Sequence, residues 1–579
     1  MARRGARPAL RLFAILAGMT FALTAIFGRL VQLQVVKAAA YQDLGDKQRV
    51  RRVELPAKRG TIYDRNGVPL AMSVDARAIY ANPRFISDPG VTANTIAPLL
   101  GLEPALIKER LGRDSPFVYV ARKVDVAVAD RVMALRLPGL GALDEMKRVY
   151  PAGTLASQLI GVVGTDNVGL SGLEASWDEL LRGVPGEQIL EQDPHGRPIP
   201  NGRSSRRDPV RGQDMVLTID RDIQFATEQA LERALIKTGA NHGTAVVLEP
   251  HTGEVLAMAN APALDPAAFS TAAPALMRNR AVQDAYEPGS VNKVVTAATA
   301  IEKGIADPAD VLRIPNTLRV ADKTFRDFQS HGTWKITYAE ALARSSNIGT
   351  IEVAQRVGKS RLYQMLRRFG LGQRTGVGLP GESQGLLLPA KDWYTTSIAT
   401  IPIGQGIAVT PLQMARVYAT LANEGVSLQP RVVRATIDQG GRKDDRPLGQ
   451  ARRVVSAGTA AQVRAMLVGV VEEGTGRSAR VPGYLIGGKT GTARKPLVGG
   501  RGYSSDVMTT FVGMVPADAP RFVAAVVLDA PATHMSSVTA APAFREIVEF
   551  VLHRMNVAPA VTTPQTQPAR LASIRTTRP

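Results

Sequence analysis

An apolar run opens the chain. Leu12 to Phe27 carries no charge, and after Gly28-Arg29 the apolar character resumes through Val36. A helix of about 20 such residues crosses the hydrocarbon core of a bilayer, so the pattern predicts a membrane anchor over 12–36, with Arg29 reaching to the interface. A cleaved signal peptide ending at Ala38-Ala39-Ala40 is the rival reading. It is disfavoured, because the run is long for such a leader and the alanines lie well past its end. The arginines ahead of the run, Arg3, Arg4, Arg7 and Arg11, predict that 1–11 is a cytoplasmic tail.

Beyond the anchor the pattern turns globular. Thr61–Tyr63 reads as a strand, and Asn66-Gly67 as a type I′ hairpin turn. From about Val74 to Arg211, helical stretches (Pro104–Leu111, Val126–Leu135) alternate with short strands and turns. Asn201 to Arg211 is polar, Arg-rich and holds Gly and Pro, so it is expected to link two domains. The next domain starts with a strand at Asp214–Asp220 and a helix from Arg221 to about Lys237. Gly243–Pro250 and Glu254–Ala259 follow as a hairpin. The stretch to about Gly370 reads as mostly helical, and a further helix covers Thr410–Leu421. Three late strands are expected: Tyr484–Ile486 running on through Thr492, Thr509–Val515, and Phe522–Leu528. A last helix covers about Ala543–Met555. Early and late strands with helices between them predict one antiparallel sheet with a helical subdomain inserted. The fold class is thus α+β and multidomain: anchor (12–36), mixed α/β domain (51–205), sheet-plus-helices domain (213–556). The Pro/Thr/Gln/Ala-rich 557–579 is expected to be disordered.

Composition sharpens this picture in two ways. The net charge is +20 over 579 residues, and from Met1 to Gly60 there are 12 Lys/Arg against 3 Asp/Glu. Cations flanking an apolar span point to lipid headgroups. No nucleic-acid signature accompanies them, and aromatics are only 5%, so nucleic acid is not an expected partner. Cysteine is absent, which removes disulfides, thiol catalysis and cysteine-held metal from consideration. No metal site or cofactor is expected.

The candidate chemistry lies in Glu287-Pro288-Gly289-Ser290-Val291-Asn292-Lys293, a turn feeding an apolar helix. Ser290 and Lys293 are spaced i, i+3 and share a helix face. A serine hydroxyl needs a nearby base, and a lysine serves if burial or a second cation lowers its pKa. Two weaker patterns follow in the same domain: Ser345-Ser346-Asn347 and Lys489-Thr490-Gly491-Thr492. Serine-x-x-lysine, serine-x-asparagine and lysine-threonine-glycine in this order form the set shared by penicillin-binding proteins and β-lactamases.

Several longer stretches resemble class B penicillin-binding proteins. They are Glu287–Ser290, Ser345–Gly349, Gly404–Gln413, Gly488–Ala493, Arg59–Gly67 and Gly172-Leu173-Glu174. The resemblance spans about 12–556, and is closest to the division-specific, FtsI-type transpeptidases. It implies a pedestal (dimerisation) domain at 51–205, a transpeptidase domain at 213–556 and no glycosyltransferase domain. It also implies that the chain cross-links peptidoglycan stem peptides ending in D-Ala-D-Ala. Ser290 would be the nucleophile, Lys293 its base and Lys489 a second cation that keeps Lys293 neutral. Ser345 would relay a proton, and Asn347 would hold the peptide. Thr490, Gly491 and Thr492 would bind the substrate carboxylate, with backbone N–H groups of Ser290 and Thr492 as the oxyanion hole. The implied partners are lipid II-derived strands, β-lactams as covalent inhibitors, the membrane, a SEDS-type glycosyltransferase and other division proteins. The implied location is the inner membrane, single-pass, with the catalytic domain periplasmic and at the septum. The alternatives are an elongation-type transpeptidase, a β-lactamase-like enzyme and a non-catalytic division scaffold. Two departures from the family pattern are visible. Val291-Asn292 stands between the motif serine and lysine, and Pro531–Pro542 lacks the usual glycines.

Overall fold

A computed structural model describes residues 8–191, 199–200, 202, 204–497, 499 and 502–559. Arg3, Arg4 and Arg7, Asn201 of the expected linker and most of the expected disordered tail lie outside the described residues.

The chain forms two compact units, 1–58 with 184–210, and 59–183 with 211–579. The first holds the apolar helix Pro8–Val31, which runs on to Val36 and buries none of its side chains. Helix Ala38–Arg49 follows. Strand Val50–Leu55 then pairs antiparallel with Gly186–Glu191, and that strand with Ser204–Arg207. Ser204–Arg207 was expected inside a linker. It is a strand because its backbone completes the ladder with Gly186–Glu191, a partner its polar side chains do not reveal.

In the second unit, Arg59 to Gly183 builds a sheet around the long strand Pro69–Ala81. This strand pairs with both Val118–Asp125 and Leu140–Val149. Helices Pro89–Leu100, Pro104–Leu111 and Val126–Ala134 cover one face through Ile79, Val120, Ile96, Ile107 and Val132. The hairpin before it is not type I′. Asn66 keeps negative φ and only Gly67 is left-handed. Asp64 organises the turn instead, its Oδ1 accepting from the N–H groups of Asn66 and Val68 at 2.8 Å each. This sheet continues through Asp214–Leu217 and Val433–Ile437. Its base holds a buried ion network. Arg59 Nε meets Glu174 Oε2 at 2.5 Å, Arg59 Nη1 meets Asp178 at 2.6 Å and Arg148 Nε meets Glu174 Oε1 at 2.7 Å.

The remainder is a five-stranded antiparallel sheet, Val255–Ala261, His242–Leu248, Phe522–Asp529, Tyr503–Val515 and Gly487–Pro496, in that spatial order. Early and late strands thus close one sheet. Its central strands are buried on both faces, which explains their nearly continuous apolar runs. Alternate residues serve two cores. Val246, Leu248, Met258 and Val512 face the helical side, while Ala245, Val247, Phe511 and Val526 face helices Arg221–Thr238 and Ala540–Arg554. The helical side carries Lys293–Glu302, Asn347–Val357, Pro411–Ala422 and Ala457–Glu472. The stretch read as mostly helical departs from expectation between 311 and 337. There, two small ribbons form, Val311–Ile314 with Trp334–Thr337 and Thr317–Val320 with Lys323–Arg326. Short, charged, β-branched segments pair locally here and leave no apolar period to read. Gly487–Pro496 is an edge strand, so one side of its backbone is unpaired.

Candidate active site

Ser290 lies in a single 3₁₀ turn, Gly289–Asn292, whose last carbonyls lead directly into the helix Lys293–Glu302. Gly289 makes the position possible. It has φ +59°, and a Cβ there would stand 2.8 Å from the carbonyl oxygen of Thr492. Gly491 mirrors it, since its Cβ would stand 2.6 Å from the carbonyl oxygen of Pro288. The two glycines let the serine turn and the edge strand touch backbone to backbone. Ser290 is half-buried, and its Oγ makes no hydrogen bond among the described residues. Val291 and Asn292 anchor the turn from behind: Tyr418 Oη donates to the Val291 carbonyl at 3.1 Å, and Asn292 Nδ2 to the Ile401 carbonyl at 2.8 Å. Asn292 therefore points into the core, away from the nucleophile.

Lys293 is fully buried. Its Nζ lies 2.6 Å from the Ser345 carbonyl oxygen, 2.8 Å from Asn347 Oδ1 and 3.3 Å from Ser345 Oγ. It is not within hydrogen-bond reach of Ser290 Oγ, although the i, i+3 spacing puts both on one face. Nζ thus faces three oxygens: two that only accept, and the Ser345 hydroxyl, which can accept or donate. Burial lowers the Lys293 pKa to about 7, and the Asp327 carboxylate pulls the other way. Lys489 is also fully buried, and its pKa is well below the usual lysine range, first from burial and then from Lys293. Desolvation thus dominates at both lysines; like-charge repulsion from Lys293 adds to it at Lys489, whereas at Lys293 the Asp327 carboxylate opposes it. Lys489 Nζ rests 3.3 Å from Thr490 Oγ1 and 3.5 Å from Thr475 Oγ1.

Ser345 holds φ +59°, uncommon for a residue with a side chain. That twist separates the helix Tyr338–Ala343 from Asn347–Val357 and turns both Ser345 oxygens toward Lys293. Ser346 is the cap of the second helix, its Oγ accepting from Gly349 N–H at 3.0 Å. On the edge strand, Thr492 is exposed and its Oγ1 lies 2.7 Å from Ser536 Oγ. Ser536 in turn donates to the Gly491 carbonyl.

The structure brings Ser290, Lys293, Ser345, Asn347, Lys489, Thr490, Gly491 and Thr492 to one place from four separate elements. Sequence reasoning missed four neighbours. Asp327 accepts from Asn347 N–H at 2.5 Å, and His331 sits behind it. Thr475 and Ser536 brace the edge strand. Of the four, only Ser536 lies in a segment that the sequence marks, Pro531–Pro542, which lacks the family's usual glycines. Among the described residues no cluster of His, Asp and Glu has the spacing of a metal site.

Residues 243–549 match the penicillin-binding protein transpeptidase domain, and 54–217 match the penicillin-binding protein dimerisation domain. The chain is 41% identical over 534 residues to the penicillin-binding protein PbpB of Mycobacterium tuberculosis, covering 87% of this chain and 78% of that one. It is 35% identical over 567 residues to the peptidoglycan D,D-transpeptidase FtsI of Escherichia coli, covering 95% and 93%. It resembles the crystal structure of penicillin-binding protein 3 from M. tuberculosis in complex with aztreonam, with a TM-score of 0.71 and 36% identity over 88% of this chain and 98% of that one. The expected fold, two matched domains with an N-terminal apolar helix, is borne out. The chain belongs to the class B penicillin-binding proteins, of the FtsI type whose activity is that of a peptidoglycan D,D-transpeptidase.

Proposed function

We propose that Ser290 carries the acyl group in this reaction and that neutral Lys293 is its base. The observation that carries this reading is Lys293 itself: fully buried, one turn after a serine with a free hydroxyl, and poised near neutrality. Ser290 Oγ attacks the carbonyl of the penultimate D-Ala, and its proton passes to Lys293. The backbone N–H groups of Ser290 and Thr492 receive the oxyanion. Ser345 passes a proton from Lys293 to the departing D-Ala amine. Asn347 holds the peptide backbone of the donor. Thr490 and Thr492 with Lys489 bind the terminal carboxylate, Gly491 keeps the strand close, and the peptide adds to the free edge of Gly487–Pro496. An amine of a second stem then attacks the acyl-enzyme and restores Ser290. A β-lactam takes the donor's place and leaves a stable acyl-serine.

The domain limits fit this reading: tail 1–11, anchor 12–36, pedestal 51–205, transpeptidase domain 213–556, tail 557–579. Among the described residues one helix, Pro8–Val36, is long and apolar enough to hold the chain in the membrane as a single-pass protein. Action at the division septum, with a SEDS-type glycosyltransferase as partner, is the finer part of the proposal and is supported by resemblance to the FtsI type. The test is labelling with a fluorescent penicillin, wild type against Ser290→Ala. A labelled band that disappears in the variant supports the reading, and an equally labelled variant refutes it. Rapid loss of the label on standing would favour a β-lactamase-like enzyme.

A further inference from the structure

Behind Asn347 lies a carboxylate that this mechanism does not use. Asp327 follows the strand Lys323–Arg326, and its side chain is only 4% exposed. Four donors converge on it. Oδ1 accepts from the N–H groups of Asn347 at 2.5 Å and Ile348 at 3.1 Å. Oδ2 accepts from Ser346 Oγ at 2.7 Å and His331 Nε2 at 3.1 Å. The carboxylate thus sits at the N-terminus of helix Asn347–Val357, where the dipole favours negative charge. It is also fixed from outside the helix. The His331 side chain is 5% exposed, and its ring lies flat on Trp334 with centroids 3.5 Å apart. Its second nitrogen faces the Gly332 carbonyl. Both nitrogens of this imidazole therefore face oxygens that only accept. Arg344 rests on the same indole at 5.1 Å.

The arrangement reaches the base by two routes. One is mechanical. Asp327 holds the Asn347 backbone, and Asn347 Nδ2 donates to the Arg326 carbonyl at 2.9 Å, which leaves Asn347 Oδ1 aimed at Lys293. The other is electrostatic, because Asp327 is the nearby anion that favours the charged form of Lys293. We propose that Asp327, steadied by His331, is a positioning residue of this site: it orients Asn347 and limits how readily Lys293 gives up its proton. The proposal rests on Ser290 and Lys293 acting as stated above. The other ionisable groups packed around the pair are Lys489 on the edge strand, Glu352 on the helix that Asn347 begins, and Arg326 and Arg344 beside the carboxylate. Glu352 is itself held above its usual range by burial and by Asp327. None of these four hydrogen-bonds Asp327 among the described residues. Lys293 is the titrating group it faces that carries chemistry.

The test is the rate of acylation by penicillin against pH, in the full chain. Removing the anion in Asp327→Asn lowers the proton affinity of Lys293. The midpoint of the acid limb then moves down by about one pH unit, while the plateau rate falls about tenfold because Asn347 is less well held. His331→Leu removes one donor but keeps the anion, so the plateau falls and the midpoint stays. His331→Gln restores a donor and most of the rate. An Asp327→Asn midpoint that does not move overturns the proposal, because a purely structural carboxylate would lower the plateau alone. If Asp327→Asn does not fold, the pair of His331 variants decides, and equal plateaus in Leu and Gln overturn it. Labelling that survives Ser290→Ala would instead sink the reading of the nucleophile, so the two failures are distinct.

Discussion

Replacing Lys293 with methionine removes a charge while keeping the length of the side chain, and the consequence for stability can be worked out. Burial lowers the lysine from an ordinary value of 10.5 to about 7. The unfolded chain keeps the ordinary value. Below about pH 7 both states hold the proton, and the folded state bears the full cost of a buried ammonium. Between about 7 and 10.5 the unfolded chain binds more protons, so stability from this residue rises with pH. A fall of about 3.5 pH units sets that cost at about 5 kcal/mol at most. Of this, about 2 kcal/mol is relieved between pH 7 and 9. Lys293→Met also loses three hydrogen bonds and leaves Ser345 O and Asn347 Oδ1 unpaired, a loss of about 1–3 kcal/mol per oxygen that does not depend on pH. Lys489 adds to the effect in the same direction, since losing Lys293 relieves its own depression. The melting temperature of Lys293→Met relative to wild type therefore falls by about 4 °C from pH 7 to pH 9, taking about 2 °C per kcal/mol for a domain of this size. Differential scanning calorimetry of both proteins at the two pH values reads this directly. A difference that is flat across pH would refute the depressed lysine and with it the account of how Ser290 is activated.

Wild-type acylation by penicillin rises with pH to a plateau with its midpoint near 7, the value to which burial holds Lys293; stopped-flow kinetics placing it near 10 would contradict the assignment of the base. Gly289→Ala forces a side chain onto a left-handed turn, with its Cβ 2.8 Å from Thr492 O, and is expected to cost about 1–3 kcal/mol and to slow acylation at least tenfold. Unfolding and labelling of that variant check both numbers. Ser536→Ala frees Thr492 Oγ1 and the Gly491 carbonyl, and should slow acylation several-fold while costing only about 1 kcal/mol. Glu174→Gln leaves Arg59 and Arg148 without their shared anion at the base of the Pro69–Ala81 sheet, and should cost about 3–5 kcal/mol. Denaturant titration tests it, and the folded fraction should still be labelled by penicillin.

The central sheet was legible because its strands are buried on both faces. Phe522–Leu528 and Thr509–Val515 are apolar runs with no competing reading, and both lie within the strands found. The helix after Ser290 was legible for a similar reason, being apolar all round. The residues proposed to carry the chemistry stand in three short motifs whose order, not whose individual content, carries information. What was not legible depends on pairing between distant or unpatterned segments. Ser204–Arg207 has no apolar alternation, and the ribbons between 311 and 337 are held by local ladders of charged residues. The turn at Asp64–Val68 looked like type I′ from Asn66-Gly67 alone, but the Asp64 carboxylate takes the backbone N–H groups and fixes a different geometry. Asp327 and His331 could not be found from the sequence. Asp327 contacts Ser346 and Asn347 across 19 and 20 residues of chain, His331 reaches them only through Asp327, and nothing in Arg326-Asp327-Phe328 marks those contacts.

The most direct measurement traps the acyl-enzyme formed from a peptide ending in D-Ala-D-Ala, followed by digestion and mass spectrometry. The account predicts one modified peptide, containing Ser290, that carries the donor less one alanine. It also predicts that this adduct disappears when an acceptor amine is added and a cross-linked product forms. An adduct on another residue, or turnover that persists in Ser290→Ala, would contradict it.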